Sequence, residues 1–149
     1  MQRFRIYLEQ YGPLVARVLL AQVFVVSGIA KLNTFAVTAA FMGNLGLPLP
    51  KLVLVLTIAL ELGGGVLLIL GWKARCLALA FFIFTFLTAV IVHPFWSGDP
   101  SGFVMQLNNF MKNLAIMGGM LYVVIYGPGP LGLGKDERDA GNKQNNKKR

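Results

Sequence analysis

Four apolar blocks, each about as long as a bilayer is thick, leave this chain little choice of fold. They run from Pro13 to Leu32, Leu52 to Leu70, Ala74 to Val92 and Asn109 to Tyr126. A helix needs about 20 apolar residues to cross the hydrocarbon core, and there it satisfies its own backbone groups. The blocks take up most of the 149 residues, so no soluble catalytic domain fits beside them. Only 13% of the residues are charged, against roughly 25% in a soluble domain. The predicted fold is an all-α integral membrane four-helix bundle. It has an N-terminal arm over 1–12, a four-helix domain over 13–130 and a disordered basic tail over 131–149.

The formal net charge of +8 would by itself suit a nucleic-acid partner, but its distribution points to topology. Arg3, Arg5 and Arg17 flank the start of the first block, and Lys73 and Arg75 occupy the turn between the second and third. Lys135, Arg138, Lys143, Lys147, Lys148 and Arg149 follow the fourth. All of these share one side of the membrane, while Lys31, Lys51 and Lys112 fall on the other. The positive-inside rule then puts both termini in the cytoplasm, and the partner of the basic groups is the lipid bilayer, not nucleic acid. The first block is too long for a cleaved signal peptide and carries Arg17 within it.

The single cysteine, Cys76, forms no internal disulfide and is expected as a small core residue. The single histidine, His93, rules out two-histidine haem ligation within one chain, and no metal site is expected.

Glu61 lies near the middle of the second block. A charge at that depth costs roughly 3 kcal/mol on insertion scales, and each surrounding Leu, Ile, Val or Phe returns about 0.3–0.6. The block can still insert, but a carboxylate there needs a partner or a job. Two readings stand side by side: a structural ion pair with Arg17 or Lys31, and a proton-handling or ligand-binding group. Arg17 itself is expected to reach back toward lipid headgroups.

Helical spacing sorts these residues into faces. Arg17, Ala21, Phe24, Gly28 and Lys31 recur at intervals of four, three, four and three, which is one face of a helix. Thr57, Glu61, Gly64 and Leu68 do the same in the second block. Gly28, Gly64, Gly118 and Gly119 are small enough to let helices approach closely, and the run Gly63-Gly64-Gly65 weakens its helix by about 1 kcal/mol per glycine. The segment from Asn33 to Pro50, punctuated by Gly43, Gly46, Pro48 and Pro50, reads as a loop. Lys31, His93, Trp96, Lys112, Asn109 and Asn113 are expected at one membrane boundary, with Glu61 roughly 15 Å below it along a helix. Trp96 suits an interfacial anchor, and a histidine there can exchange protons with the medium.

Taken in order, these residues resemble the DoxX family of small bacterial membrane proteins. The likeness rests on Arg17, Ser27-Gly28, Lys31-Leu32, Gly46 to Pro50, Glu61-Leu62-Gly63-Gly64, and Gly71 with Arg75. It continues through His93, Phe95-Trp96, Phe110, Lys112-Asn113-Leu114, Gly118-Gly119 and Gly127-Pro128-Gly129. It covers nearly everything from Leu14 to Gly129, while Pro94 and the Leu133-Gly134-Lys135-Asp136 ending depart from the usual pattern.

The resemblance implies a location in the bacterial inner membrane. Relatives include a membrane subunit of a thiosulfate:quinone oxidoreductase, and others are linked to oxidoreductase complexes in oxidative-stress defence. It makes Glu61 and His93 candidates for proton exchange, and Lys31, Trp96, Lys112 and Asn113 candidate contacts for a quinone or other substrate. The leading expectation is a membrane subunit working with a soluble redox partner. The alternatives are a scaffold docking a soluble protein through the basic tail, and a transporter, whose four helices would line a pore only as a homo-oligomer.

Overall fold

The computed structural model describes residues 1–97 and 100–134. The basic residues of the tail, 135–149, and with them the docking segment of the scaffold alternative, lie outside the described residues; 131–134, expected as disordered, are instead bonded to the bundle. Among the described residues the chain is all-helical. Helix α1 spans Gln2–Asn33 and α2 Phe35–Asn44. The next rod is continuous but changes pitch: α3 covers Pro50–Ile58, a π-helical segment covers Ala59–Gly64, and α4 covers Gly65–Leu70. Helices α5, Ala74–Val92, and α6, Phe103–Tyr126, follow. Among the described residues three rods are long and apolar enough to cross a membrane: Gln2–Asn33, Pro50–Leu70 and Ala74–Val92.

The expected boundaries hold best where glycine ends a helix. Gly71, at φ 74°, closes α4, and Gly127, at φ 80°, closes α6; both adopt the left-handed region that glycine enters without strain. Elsewhere the structure departs from the sequence reading. Helix α1 begins eleven residues before Pro13, which therefore sits inside a helix and not at its start. Residues 2–12 are mostly good helix formers, and Arg5 pairs with Glu9 one turn on at 2.8 Å. Helix α6 likewise begins at Phe103 rather than Asn109.

The segment read as one long loop contains α2, because its glycines and prolines cluster at the far end and leave Phe35–Asn44 uninterrupted. Ala39 of α2 packs with Leu54 and Ile58 of α3. Cys76 is exposed on α5, not buried. The buried face of that helix is Ala74, Ala78, Phe81, Thr85 and Ala89, and two residues on from Ala74 the helix has turned about 200° away from it.

The main core joins α1, α4, α5 and α6 through Ala21, Phe24, Leu68, Ala78, Phe81 and Met120. The rings of Phe24 and Phe81 lie 4.1 Å apart between centroids, and small residues on each side make that approach possible. On α1 the buried residues are Arg17, Ala21, Phe24 and Gly28, the face that the spacing marks out. Thr57, Glu61, Gly64 and Leu68 are buried on the facing rod, also as the spacing predicts.

The bundle has two polar ends. At one, Arg17 donates to the carbonyl oxygens of Ile69 (2.8 Å), Leu68 (3.3 Å) and Leu131 (3.2 Å). Nearby Arg75 donates to those of Val124 and Ile125, both at 2.7 Å. The last carbonyls of a helix have no partner within it, and a cation there also meets the negative end of the helix dipole. The chain after α6 then folds back, with Leu133 and Gly134 donating their N–H groups to the carbonyls of Leu70 and Gly71. Arg17 is only 1% exposed, so it does not reach out to headgroups. Its two terminal nitrogens serve backbone carbonyls, and its Nε–H is buried without a partner among the described residues.

Candidate functional site

The other end gathers the chemistry. Glu61 sits in the π-helical segment, 2% exposed, and accepts hydrogen bonds from Lys31 and Ser27 of α1. The ammonium lies 2.8 Å from Oε1 and 2.9 Å from Oε2. The same nitrogen also donates to Ser27 Oγ, one turn back along α1. An ammonium has three protons, and here all three are engaged. The carboxylate keeps spare lone pairs, since each oxygen can accept more than one hydrogen bond.

Close backbone approach makes this pair possible. A Cβ added at Gly28 would lie 2.8 Å from Leu62 Cγ and 3.2 Å from Glu61 Cβ, so α1 meets the π-helical segment where α1 has no side chain. Single-turn π-segments inside α-helices are frequent at functional sites, and the wider turn places Glu61 opposite Lys31 instead of continuing the α-helical register.

A cavity of about 450 Å³ opens beside the pair. Its walls are largely apolar, among them Val23, Phe41, Leu47, Leu87 and Ile91. Lys31, Glu61, His93 and Asn113 line it as well, so four of the six residues singled out for proton exchange or ligand contact converge there. Trp96 and Lys112 do not line it. Trp96 is 55% exposed and packs edge-on against Phe95 and Phe110, tying the α5–α6 connection to α6. Lys112 is exposed on α6.

His93 caps α5, and its Nδ1 lies 2.9 Å from Gln106 Oε1. An amide oxygen only accepts, so Nδ1 carries the proton of that bond, and Nε2 takes no part in it.

Thr85 and Asn113 line this space too, and their Oγ1 and Nδ2 atoms are buried without a protein partner. Thr85 is 2% exposed. Its neighbour Thr88 donates its hydroxyl to Phe84 O of its own helix at 2.9 Å, the usual outlet for a helical threonine; Thr85 does not. Sequence reading passed over Thr85, which lies on the buried stripe Ala74, Ala78, Phe81, Thr85, Ala89 of α5.

The glycines divide by environment. At Gly64 an added Cβ would lie 3.2 Å from Phe81 Cζ, and at Gly119 2.7 Å from Leu20 Cδ2; at Gly118 nothing lies within 4 Å. Gly28, Gly64 and Gly119 are contact points, whereas Gly118 borders open space.

A helical membrane protein with an ion-paired acid beside an apolar cavity is thus the class that fold and site define. The chain belongs to the DoxX family, which matches it over residues 12–94. It is similar to the inner membrane protein YphA of Escherichia coli, at 36% identity over 122 residues, covering 80% of this chain and 86% of that protein. It is also similar to the inner membrane protein YqjF of the same organism, at 40% identity over 124 residues, covering 82% and 88%. No solved structure matches it. The chain is accordingly a multi-pass protein of the bacterial inner membrane.

Proposed function

We propose that this chain is the ligand-holding membrane subunit of a redox or detoxification complex and that its cavity takes a quinone. One observation carries the reading: a carboxylate 2% exposed, held by a lysine on the next helix and bordering a cavity of about 450 Å³. Small-molecule pockets have volumes of about 300–1,000 Å³, mostly apolar walls and a few placed polar groups. An intramembrane acid of this kind is by default a functional one. The fit with a quinone head is chemical: apolar walls accommodate the ring, and the spare lone pairs of Glu61 suit the hydroxyl of the reduced form.

A bound quinone supplies two-electron chemistry coupled to two protons, with the electrons exchanged through a soluble partner. The chain's own residues bind and move protons. Lys31 keeps Glu61 in place and compensates its charge. Glu61 accepts a proton from the ligand's hydroxyl, and Nε2 of His93 offers a second accepting site at the same end of the bundle. Four crossings with both termini in the cytoplasm suit this arrangement. Helix α6 is 24 residues long, roughly 36 Å of rise. Arg3, Arg5, Arg17, Lys73 and Arg75 all belong to the end away from Lys31, as the positive-inside rule asks.

The test is extraction of quinone from the purified protein together with titration by a decyl-substituted benzoquinone in nanodiscs. The expected result is saturable binding that Glu61→Gln weakens at least tenfold. Absence of copurified quinone, together with equal binding by the Glu61→Gln and His93→Ala variants, defeats the reading.

A further inference from the structure

We propose that Thr85 and Asn113 are the anchors for the ligand's polar head, and that the site selects a neutral carbonyl compound over an anion or a cation. The inference rests on the cavity being a ligand site, as argued above, and adds which atoms read the ligand.

The argument is one of donor supply. A carbonyl needs donors, and most obvious donors on the cavity wall are taken. All three protons of Lys31 go to Ser27 and Glu61. The Nδ1 proton of His93 goes to Gln106, and the hydroxyl of Thr88 goes to Phe84 O. Of the fully buried polar atoms on the described residues lining the cavity, Thr85 Oγ1 and Asn113 Nδ2 are the ones without a protein partner. A buried donor left unpaired costs about 1–3 kcal/mol, so a chain that keeps two of them on one cavity wall has them for something that enters the cavity.

Charge selects the class. Lys31 and Glu61 are the charged residues lining the cavity, and they compensate each other. An anionic headgroup finds no free cation there, and a cationic one would have to displace Lys31. A neutral oxygen acceptor on an apolar body meets the two donors and nothing that repels it. The donors come from α5 and α6, and the acid–lysine pair from α1 and the π-helical segment. The two sets therefore stand on different walls, and a ring with oxygens on opposite sides can address both.

The test uses the full chain in nanodiscs and three probes of equal alkyl length: the decyl-substituted benzoquinone, a long-chain methyl ketone and a fatty acid at a pH where it is ionised. Thr85→Val keeps the shape and deletes the hydroxyl; Asn113→Leu deletes the amide. Each variant is expected to bind quinone and ketone about tenfold more weakly, the scale of one lost hydrogen bond. Thr85→Val should melt no lower than the parent without ligand, because it removes an unpaired polar atom. A purely structural threonine would show the reverse pattern.

Equal binding of the carbonyl probes by parent and variants overturns the assignment and leaves the quinone reading standing. So does a fatty acid that binds as tightly as the ketone. If the ketone binds through Thr85 and Asn113 while quinone binds no better and Glu61→Gln changes nothing, the anchors stand and the redox reading falls. If no carbonyl probe binds the parent, both fall.

Discussion

Arg17 and Lys31 sit on the same face of α1, about four turns apart, and each bonds to the second membrane rod. They do opposite things. Arg17 meets backbone carbonyls at the end of α4, where a helix leaves acceptors over, and a planar guanidinium with five N–H groups can serve several at once. Among the described residues its hydrogen-bond partners are backbone carbonyls, with no carboxylate. Lys31 meets a carboxylate in the middle of its rod, with three donors and three acceptors, beside open space. Both cations are structural in the sense that they hold helices together. Only the second compensates a buried charge that the fold could have done without. A hydrophobic residue at position 61 would spare the membrane a carboxylate; Glu61 therefore argues for use, and Arg17 for assembly.

The contrast can be broken by mutation, and the largest effect is expected at the assembly end. Arg17→Met strands the carbonyls of Leu68, Ile69 and Leu131 and leaves an apolar side chain among them. The expected loss is about 3 kcal/mol or more, at about 1 kcal/mol or more per charged hydrogen bond forfeited, read as a lowered melting temperature and poor recovery of folded protein. A variant as stable as the parent would show that those bonds are incidental.

Lys31→Met comes next. It leaves Glu61 buried and unpaired, a situation worth about 2–3 kcal/mol even after the carboxyl takes up a proton. The double variant Lys31→Met with Glu61→Leu should regain most of that stability in a thermal melt while failing to bind the benzoquinone. A double variant that is stable and still binds would reduce the pair to a helix clamp like Arg17.

Packing effects are expected to be smaller. Gly28→Ala pushes a methyl to within 2.8 Å of Leu62 Cγ, and overpacking of this kind costs about 1–3 kcal/mol. Because the strained contact adjoins Glu61, the variant should also weaken ligand binding. The same change at Gly118 meets nothing within 4 Å and should be neutral or stabilising by up to about 1 kcal/mol, since alanine is the better helix former. Comparing the two melts separates close approach from glycine content. The smallest expected effect is at Gln106→Ala, about 1 kcal/mol for one neutral hydrogen bond to His93.

Periodicity carried most of what was legible beforehand. It put Arg17, Ala21, Phe24 and Gly28 on one face and Thr57, Glu61, Gly64 and Leu68 on another, because burial inside a bundle follows the helical repeat. Local chemistry also marked Gly71 and Gly127 as helix ends. The helix in Phe35–Asn44 was missed since a short apolar stretch beside glycines and prolines looks the same whether it folds as loop or helix. The π-helical segment carried only the triple glycine as a hint. Thr85 was invisible for a different reason: a threonine in an apolar helix is ordinary until one knows that its hydroxyl lacks the usual carbonyl partner. Trp96 and Lys112 were grouped with the site by their level in the membrane, and level does not say which way a side chain turns.

Hydropathy and charge thus determined membrane residence, the helical class and the presence of a costly acid, because the bilayer penalises residues one at a time. Which cation reached that acid, and which donors stayed free beside it, was decided only by packing. Arg17 and Lys31 share a helix face, and nothing in their order says which of them would meet Glu61. The choice came from where the second rod crosses α1, with Gly28 bringing the π-helical segment within reach of Lys31 and the end of α4 already holding Arg17.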